Sequence, residues 1–292
     1  MNKKVIVKGL VGLMVIGTCF AGTIQIKGSD TIVNLSQRLA EEYGKTNKSV
    51  EISVTGGGSG TGISALIDNK ADIANSSRTI KDSEIQKGKK NGNDIKEFTI
   101  GIDALSIILN PKNKITSLTI EQIGKIFKGE IVNWKEVGGA DMPINLYGRQ
   151  SNSGTFAFFR EHVLQGEYSD KMNSMNGNSQ IVESVKKDIS GIGYVGVGYV
   201  VDNGKPINSV KIINVAQKTG ETAYSPVDAK NIYSGKYPIA RGLQQYTNNK
   251  PTGQIKEFIE FELSSAGQSI VKDEGFYPID GDYKKSNLQN LK

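Results

Sequence analysis

Two short segments repeat the same three residues in the same surroundings. Ser59-Gly60-Thr61, inside TGGGSGTGI (55–63), and Ser153-Gly154-Thr155, inside YGRQSNSGTFAFF, each follow a strand-like run and open a helix-like one. The first amides of a helix have no intrahelical acceptor and lie at the positive end of its dipole. Glycine lets such amides approach a ligand closely, and Ser and Thr hydroxyls add donors. Two such starts facing each other would surround a small oxyanion. Arg149, four residues before the second, supplies a guanidinium suited to bidentate contact with phosphate. Taken singly, either segment also reads as an ordinary N-cap on a turn.

Other chemistries lack parts. GIGYVG (191–196) matches the G-x-G-x-x-G nucleotide pattern, but it follows a helix-like run, SQIVESVKKDIS, and leads into a strand-like one, which is the wrong order. TGGGSGTGI has the right order without the fingerprint spacing or the Gly-Lys-Ser/Thr of a nucleotide-hydrolysing loop. The single histidine, His162, cannot supply a zinc or two-metal phosphatase with its usual ligands, and no serine sits in G-x-S-x-G. No D-x-D-x-D-G calcium loop occurs. The sequence therefore leads us to expect no catalytic residues, no metal and no cofactor.

The elements that must position the two segments can be read from periodicity. Thr23–Lys27 alternates, then Ile32, Leu35, Leu39 and Tyr43 recur at helical spacing. Val50, Ile52 and Val54 alternate into the glycine run, and Ile63, Leu66 and Ile67 follow as a helix. EFTIGIDALSIILN (97–110) reads as one long extended stretch, TIEQIGKIFKG as an amphipathic helix, PINLYGR as a strand and SGTFAFFREHVL as a helix. A last long helix is carried by Ile255, Phe258, Ile259 and Leu263, with Gly275 suited to end it. Such alternation makes an α/β protein, with helices packed on sheets.

With 292 residues, 37% apolar, the chain can bury one large core or two modest ones. Lys3, Lys4 and Lys8 flank the apolar run 5–21, the layout of an export signal. Without those three lysines the formal charge of +6 falls to +3, a poor match to nucleic acid. Two processing readings stay open: cleavage after Ala21, or lipidation of Cys19 in IGTCFAG, where Thr18 departs from the usual small residue. Either way the mature chain has no disulfide, since Cys19 is the only cysteine.

An ordered series of motifs spans nearly the whole mature chain: IKGSDTI, TGGGSGTGI, ADIANSSR, GIDALSIILNP, IFKGEIVNWKEVGG, YGRQSNSGTFAFF, SGIGYVGVGY and YPIARGLQQYT. In this it resembles the phosphate-binding proteins of bacterial ABC phosphate importers, in their compact form. The resemblance implies a two-lobed periplasmic-binding-protein fold of type II, with phosphate held in a cleft and enclosed by hinge bending. Residues 1–21 would be the signal, 23–105 and 236–292 the first lobe, and 106–235 the second. The implied partners are inorganic phosphate and a membrane permease, for a monomer exported to the periplasm or cell surface. A receptor for sulfate or another oxyanion, and an exported phosphatase on the same scaffold, are the competing readings.

Residue by residue, the resemblance implies that Asp30, Thr31, Ser59, Ser77 and Arg78 contribute to the phosphate site from the first lobe, and Arg149, Ser153, Gly154 and Thr155 from the second. Asp30 is either a direct acceptor or a cap that orients amides. Two departures stand out: Gln150 follows the arginine where many members have an acid, and ADIANSSR ends in Ser77-Arg78 where long forms place a carboxylate. Asp103, isolated in an apolar stretch, then becomes the candidate acceptor for the phosphate proton that sulfate lacks; the alternative is a tie within the hinge backbone.

Overall fold

The computed structural model describes residues 22–202 and 204–292. The apolar run, Cys19 and Ala21 lie outside the described residues. Two five-stranded sheets, each packed with helices, form the α/β architecture expected. In the first the order is Val50–Thr55, Gly22–Gly28, Ile73–Ser76, Ala240–Thr247, Lys96–Ala104. The first three strands are parallel, and Ala240–Thr247 runs antiparallel to both of its neighbours. In the second the order is Lys211–Ile212, Ser106–Leu109, Gly191–Val195, Asn145–Arg149, Asn173–Met175.

The helical spacing read from sequence points inward. Ile32, Leu35, Leu39 and Tyr43 are buried at and along the helix Val33–Thr46, as are Ile63, Leu66 and Ile67 on the helix Ser59–Ile67. The helix Ile120–Lys128 has a capping box at Thr119 and Gln122, and ends at Gly129 in the left-handed region. At the edge of the first sheet, Val50 is buried while Ile52 and Val54 stay half-buried.

Three expectations are corrected. The stretch 97–110 is two strands in two different sheets, because the chain crosses between them at Leu105. There Leu105 N–H donates to Ile239 O at 2.9 Å and Tyr237 Oη donates to Leu105 O at 2.7 Å, so the outgoing and returning crossings are tied to each other. The last long helix is two, Gly253–Leu263 and Ser265–Asp273, broken at Ser264, whose extended backbone and hydroxyl cap the second. The helix after Ser153 is α-helical only over Gly154–Phe159 and continues as a π-turn over Arg160–Leu164. GIGYVG is a buried strand, as its order requires: a Cβ on Gly193 would lie 2.5 Å from Ile181 Cγ2.

Candidate oxyanion-binding site

Five hydroxyls from four elements meet between the sheets. Ser29 and Thr31 follow the strand Gly22–Gly28, Ser59 opens its helix, Ser77 follows the strand Ile73–Ser76, and Thr155 comes from the second-sheet side; all five are buried. Ser29 Oγ donates to Ser77 Oγ at 2.9 Å, Ser77 Oγ lies 3.3 Å from Thr155 Oγ1, and Thr155 Oγ1 lies 2.8 Å from Thr31 Oγ1. Ser59 Oγ accepts from Ser77 N–H at 3.1 Å. Each hydroxyl can donate and accept, so the same hydrogens that satisfy one another here can turn toward an oxyanion. Gly154 is required at the centre, since a Cβ there would stand 2.2 Å from Ser59 Oγ.

Two arginines flank the hydroxyls. Arg149, fully buried, donates from Nε to Met175 O at 3.3 Å and from Nη2 to Asn176 O at 2.9 Å and Asp30 Oδ2 at 2.5 Å. Its Nη1 is buried without a partner. The acid missing at position 150 is thus supplied by Asp30, from the other sheet, whose second oxygen accepts from Gly57 N–H at 2.7 Å. The Arg149 backbone is braced in turn: its N–H donates to Tyr194 Oη at 3.0 Å. Tyr168 Oη donates to Phe156 O, which leaves Tyr194 to donate to Tyr168 at 2.9 Å. Burial pushes the Tyr194 hydroxyl up to about 12, so it keeps its proton at neutral pH.

Arg241 is the second arginine, and it was not among the expected site residues. It donates through Nε and Nη2 to Asp103 Oδ2 at 3.1 and 2.8 Å, through Nη1 to Ser77 O at 2.7 Å, and through Nη2 to Thr155 Oγ1 at 2.9 Å. Burial pulls its guanidinium below the ordinary value and Asp103 opposes the shift, so it stays charged. Asp103, wholly buried, accepts from Val197 N–H at its other oxygen, 2.9 Å away. Asp103 is therefore both a counter-charge and a tie between the sheets. With Asp30 and Asp103 set against Arg149 and Arg241, the formal charge of the surroundings cancels.

Not every expected residue points here. Arg78 turns away, its guanidinium forked onto Glu84 at 2.7 and 2.8 Å, so its side chain is not brought to the hydroxyls. The fork is favoured because Glu84 also caps the helix Asp82–Lys90 through Lys81 N–H. Ser153 caps its own helix, its Oγ accepting from Thr155 and Phe156 N–H at 3.2 and 3.4 Å. His162 is exposed, with Nδ1 facing Phe158 O on its own turn.

The glycine loop also does something other than expected. Its amides already have acceptors in the protein: Gly57 N–H on Asp30, Gly58 N–H on Gly28 O at 2.8 Å, and Gly60 N–H on Asn152 O at 3.1 Å. Asn152 Nδ2 returns a bond to Gly57 O at 2.9 Å. Gly58 has φ +90°, and a Cβ on it would stand 2.7 Å from Asn152 O. Glycine is needed because the loop closes against the 150–153 turn, backbone on backbone.

The model of the PBP superfamily domain matches residues 16–266. The phosphate-binding protein PstS of Pseudomonas aeruginosa is 32% identical, the match covering 93% of this chain and 87% of that one. PstS of Borreliella burgdorferi is 32% identical over 88% and 90%. Among solved structures, a putative phosphate ABC transporter substrate-binding protein from Clostridium perfringens, with bound phosphate, superimposes with a TM-score of 0.78 at 28% identity, covering 88% of this chain and all of that one.

Proposed function

The chain belongs to the PBP superfamily and, within it, to the phosphate-binding proteins PstS, and on that premise we propose that it captures inorganic phosphate outside the cytoplasmic membrane and delivers it to an ABC-type permease. The observation that carries the reading is the cluster of five buried hydroxyls, with Arg241 bonded to one of them and a buried, unpartnered Nη1 on Arg149: a donor-rich setting suited to an oxyanion. Thr31, Ser59, Ser77, Gly154 and Thr155 surround the anion, Ser153 holds the turn, and Asp30 orients Arg149. Arg241 adds its charge through Thr155 and Ser77.

Selectivity rests on Asp103. Near neutral pH phosphate carries at least one hydroxyl proton and sulfate none, and a site built to bond a substrate hydroxyl discriminates by roughly 10⁴ to 10⁵. Asp103 Oδ1 accepts one hydrogen bond, from Val197 N–H, and keeps a lone pair for a phosphate hydroxyl. The two lobes turn about the paired crossings at Leu105 and Ile239, and the bonds from Asn152 and Arg149 to the first lobe form on closure. Export relies on the N-terminal apolar run, with Cys19 as the lipid anchor if cleavage falls before it.

The test is calorimetric titration of protein stripped of phosphate against phosphate, sulfate and molybdate. One tight phosphate site, with sulfate far weaker, is expected. Equal binding of sulfate makes it a general oxyanion receptor, and absence of phosphate heat overturns the reading. Release of phosphate from a chromogenic ester would instead mark an enzyme.

A further inference from the structure

Asparagine is followed by glycine three times in the chain, at 91–92, 176–177 and 203–204. In such a pair no Cβ hinders the glycine nitrogen, which can close on the asparagine side chain and expel ammonia. Asn203 lies outside the described residues, and the other two pairs are held differently.

Asn91 is restrained at both reacting groups. Its Nδ2 donates to Ile67 O at 3.1 Å, and the Gly92 nitrogen donates to Lys89 O at 3.0 Å, in a glycine fixed at φ +80°. Asn176 is exposed, and neither its side-chain amide nor the Gly177 nitrogen is bonded to another described residue. Gly177 N–H and Asn176 C=O are the two ends of one peptide group, and Arg149 Nη2 donates to that carbonyl oxygen at 2.9 Å. Ring closure needs the nitrogen to give up its proton, which moves negative charge onto the same oxygen. A guanidinium bonded there favours the charged form. The arginine assigned to the anion therefore also acidifies the neighbouring amide.

We infer that Asn176 and Gly177 form a self-modification site, whose deamidation places a carboxylate on Arg149 and weakens phosphate capture. This rests on the phosphate reading above. The Gly177 nitrogen bonds to Asn176 Cγ, the Cγ–Nδ2 bond breaks, and the displaced proton leaves with Nδ2 as ammonia. Water then opens the cyclic imide, and no oxidant or reductant takes part. Opening at Cγ gives aspartate. Opening at the main-chain carbon gives isoaspartate, with the chain rerouted through Cβ and Cγ, and the oxygen that Arg149 held becomes half of a free carboxylate. That carboxylate competes with an oxyanion for the guanidinium, its unpartnered Nη1 included.

The test starts from full-length mature protein, stripped of phosphate and warmed at mildly alkaline pH. Peptide mapping by mass spectrometry should show Asn176 converted well ahead of Asn91, and enzymatic methylation of isoaspartate should label the same peptide. Gly177→Ala is the control: a Cβ there meets nothing within 4 Å and φ −146° suits any residue, so the fold is kept while the nitrogen is hindered. Asn176 in this variant should convert several-fold more slowly. Ion exchange separates the modified form by its added negative charge. In calorimetry with inorganic phosphate it should bind about 10-fold or more weakly than unmodified protein from the same sample. Conversion at Asn176 no faster than at Asn91 overturns the inference, and so does a modified form that binds phosphate as tightly as the unmodified one. Thermal unfolding of the separated forms should show both folded; a modified form without a folding transition assigns the loss to unfolding and overturns the inference as well. Fresh wild-type protein that binds no phosphate removes the functional reading, and with it the effect on capture, whatever the conversion rates.

Discussion

Arg149 meets acceptors from three directions, Met175 O, Asn176 O and Asp30, and still has Nη1 to spare. A lysine has one nitrogen and no plane. Arg149→Lys is expected to weaken phosphate binding by about 2 kcal/mol, measured by calorimetry with circular dichroism unchanged; an unaltered Kd takes Arg149 out of the site. Asp103→Asn removes the counter-charge of a buried guanidinium and should lower the unfolding free energy by about 3–5 kcal/mol, read from urea titration. In the folded fraction phosphate affinity should fall while sulfate affinity rises. A constant ratio of the two would leave Asp103 only its structural ties. Asp103 was legible because a lone carboxylate in GIDALSIILN is conspicuous, and Arg241 in YPIARGL offers the same contrast. Ser29 offers none, since small polar residues are common in turns. The acid that serves Arg149 is 119 residues away in sequence, and local pattern directs attention to position 150 instead.

For the elements, strand, glycine loop and helix around TGGGSGTGI were readable in order, but the acceptors of the loop amides belong to residues 28, 30 and 152. Only folding brings these together. The helix Gly253–Leu263 gives a sharper case. Its apolar residues marked the inward face, yet Glu262 is wholly buried too, accepting from Gln245 Nε2 at 3.0 Å with no cation beside it. Burial pushes its carboxyl up to about 8, so it is neutral at pH 7 in the folded protein. In the unfolded chain the same group ionises near pH 4.5. The raised folded value means that its contribution to stability is complete below about pH 4.5, declines as the unfolded state alone loses the proton, and is gone above about pH 8. Glu262→Gln keeps an acceptor for Gln245 and cannot ionise. It should match the wild type at pH 4 and exceed it by on the order of 3 kcal/mol at pH 7, in denaturant titrations at the two values. Parallel pH curves for the two proteins would count against the buried neutral carboxyl.

Across the whole molecule, the turns of one sheet are tied to those of the other: Asn152 to Gly57 and Gly60, Arg149 to Asp30, and Tyr199 Oη to Asp30 O at 2.5 Å; these are the contacts that the proposed closure would form. Opening must break all of these, so phosphate-loaded protein should have a smaller radius of gyration than stripped protein in small-angle scattering. Equal radii at saturation would point to a rigid site. The two-sheet plan was legible through the ordered motifs, whereas the crossing at Leu105 was hidden inside an unbroken apolar run. The strand order carries a consequence for how the chain reaches this state. Ala240–Thr247 lies between Ile73–Ser76 and Lys96–Ala104, so the first sheet has a gap at its interior until the chain has been made as far as Thr247. The second sheet draws all its strands from residues 106–212 and can assemble before that. During synthesis or emergence from a translocation pore, the part of the chain that appears first must wait for the part that appears late. Two strands with unpaired edges are exposed throughout the delay, which makes the N-terminal third the region most in need of protection by chaperones.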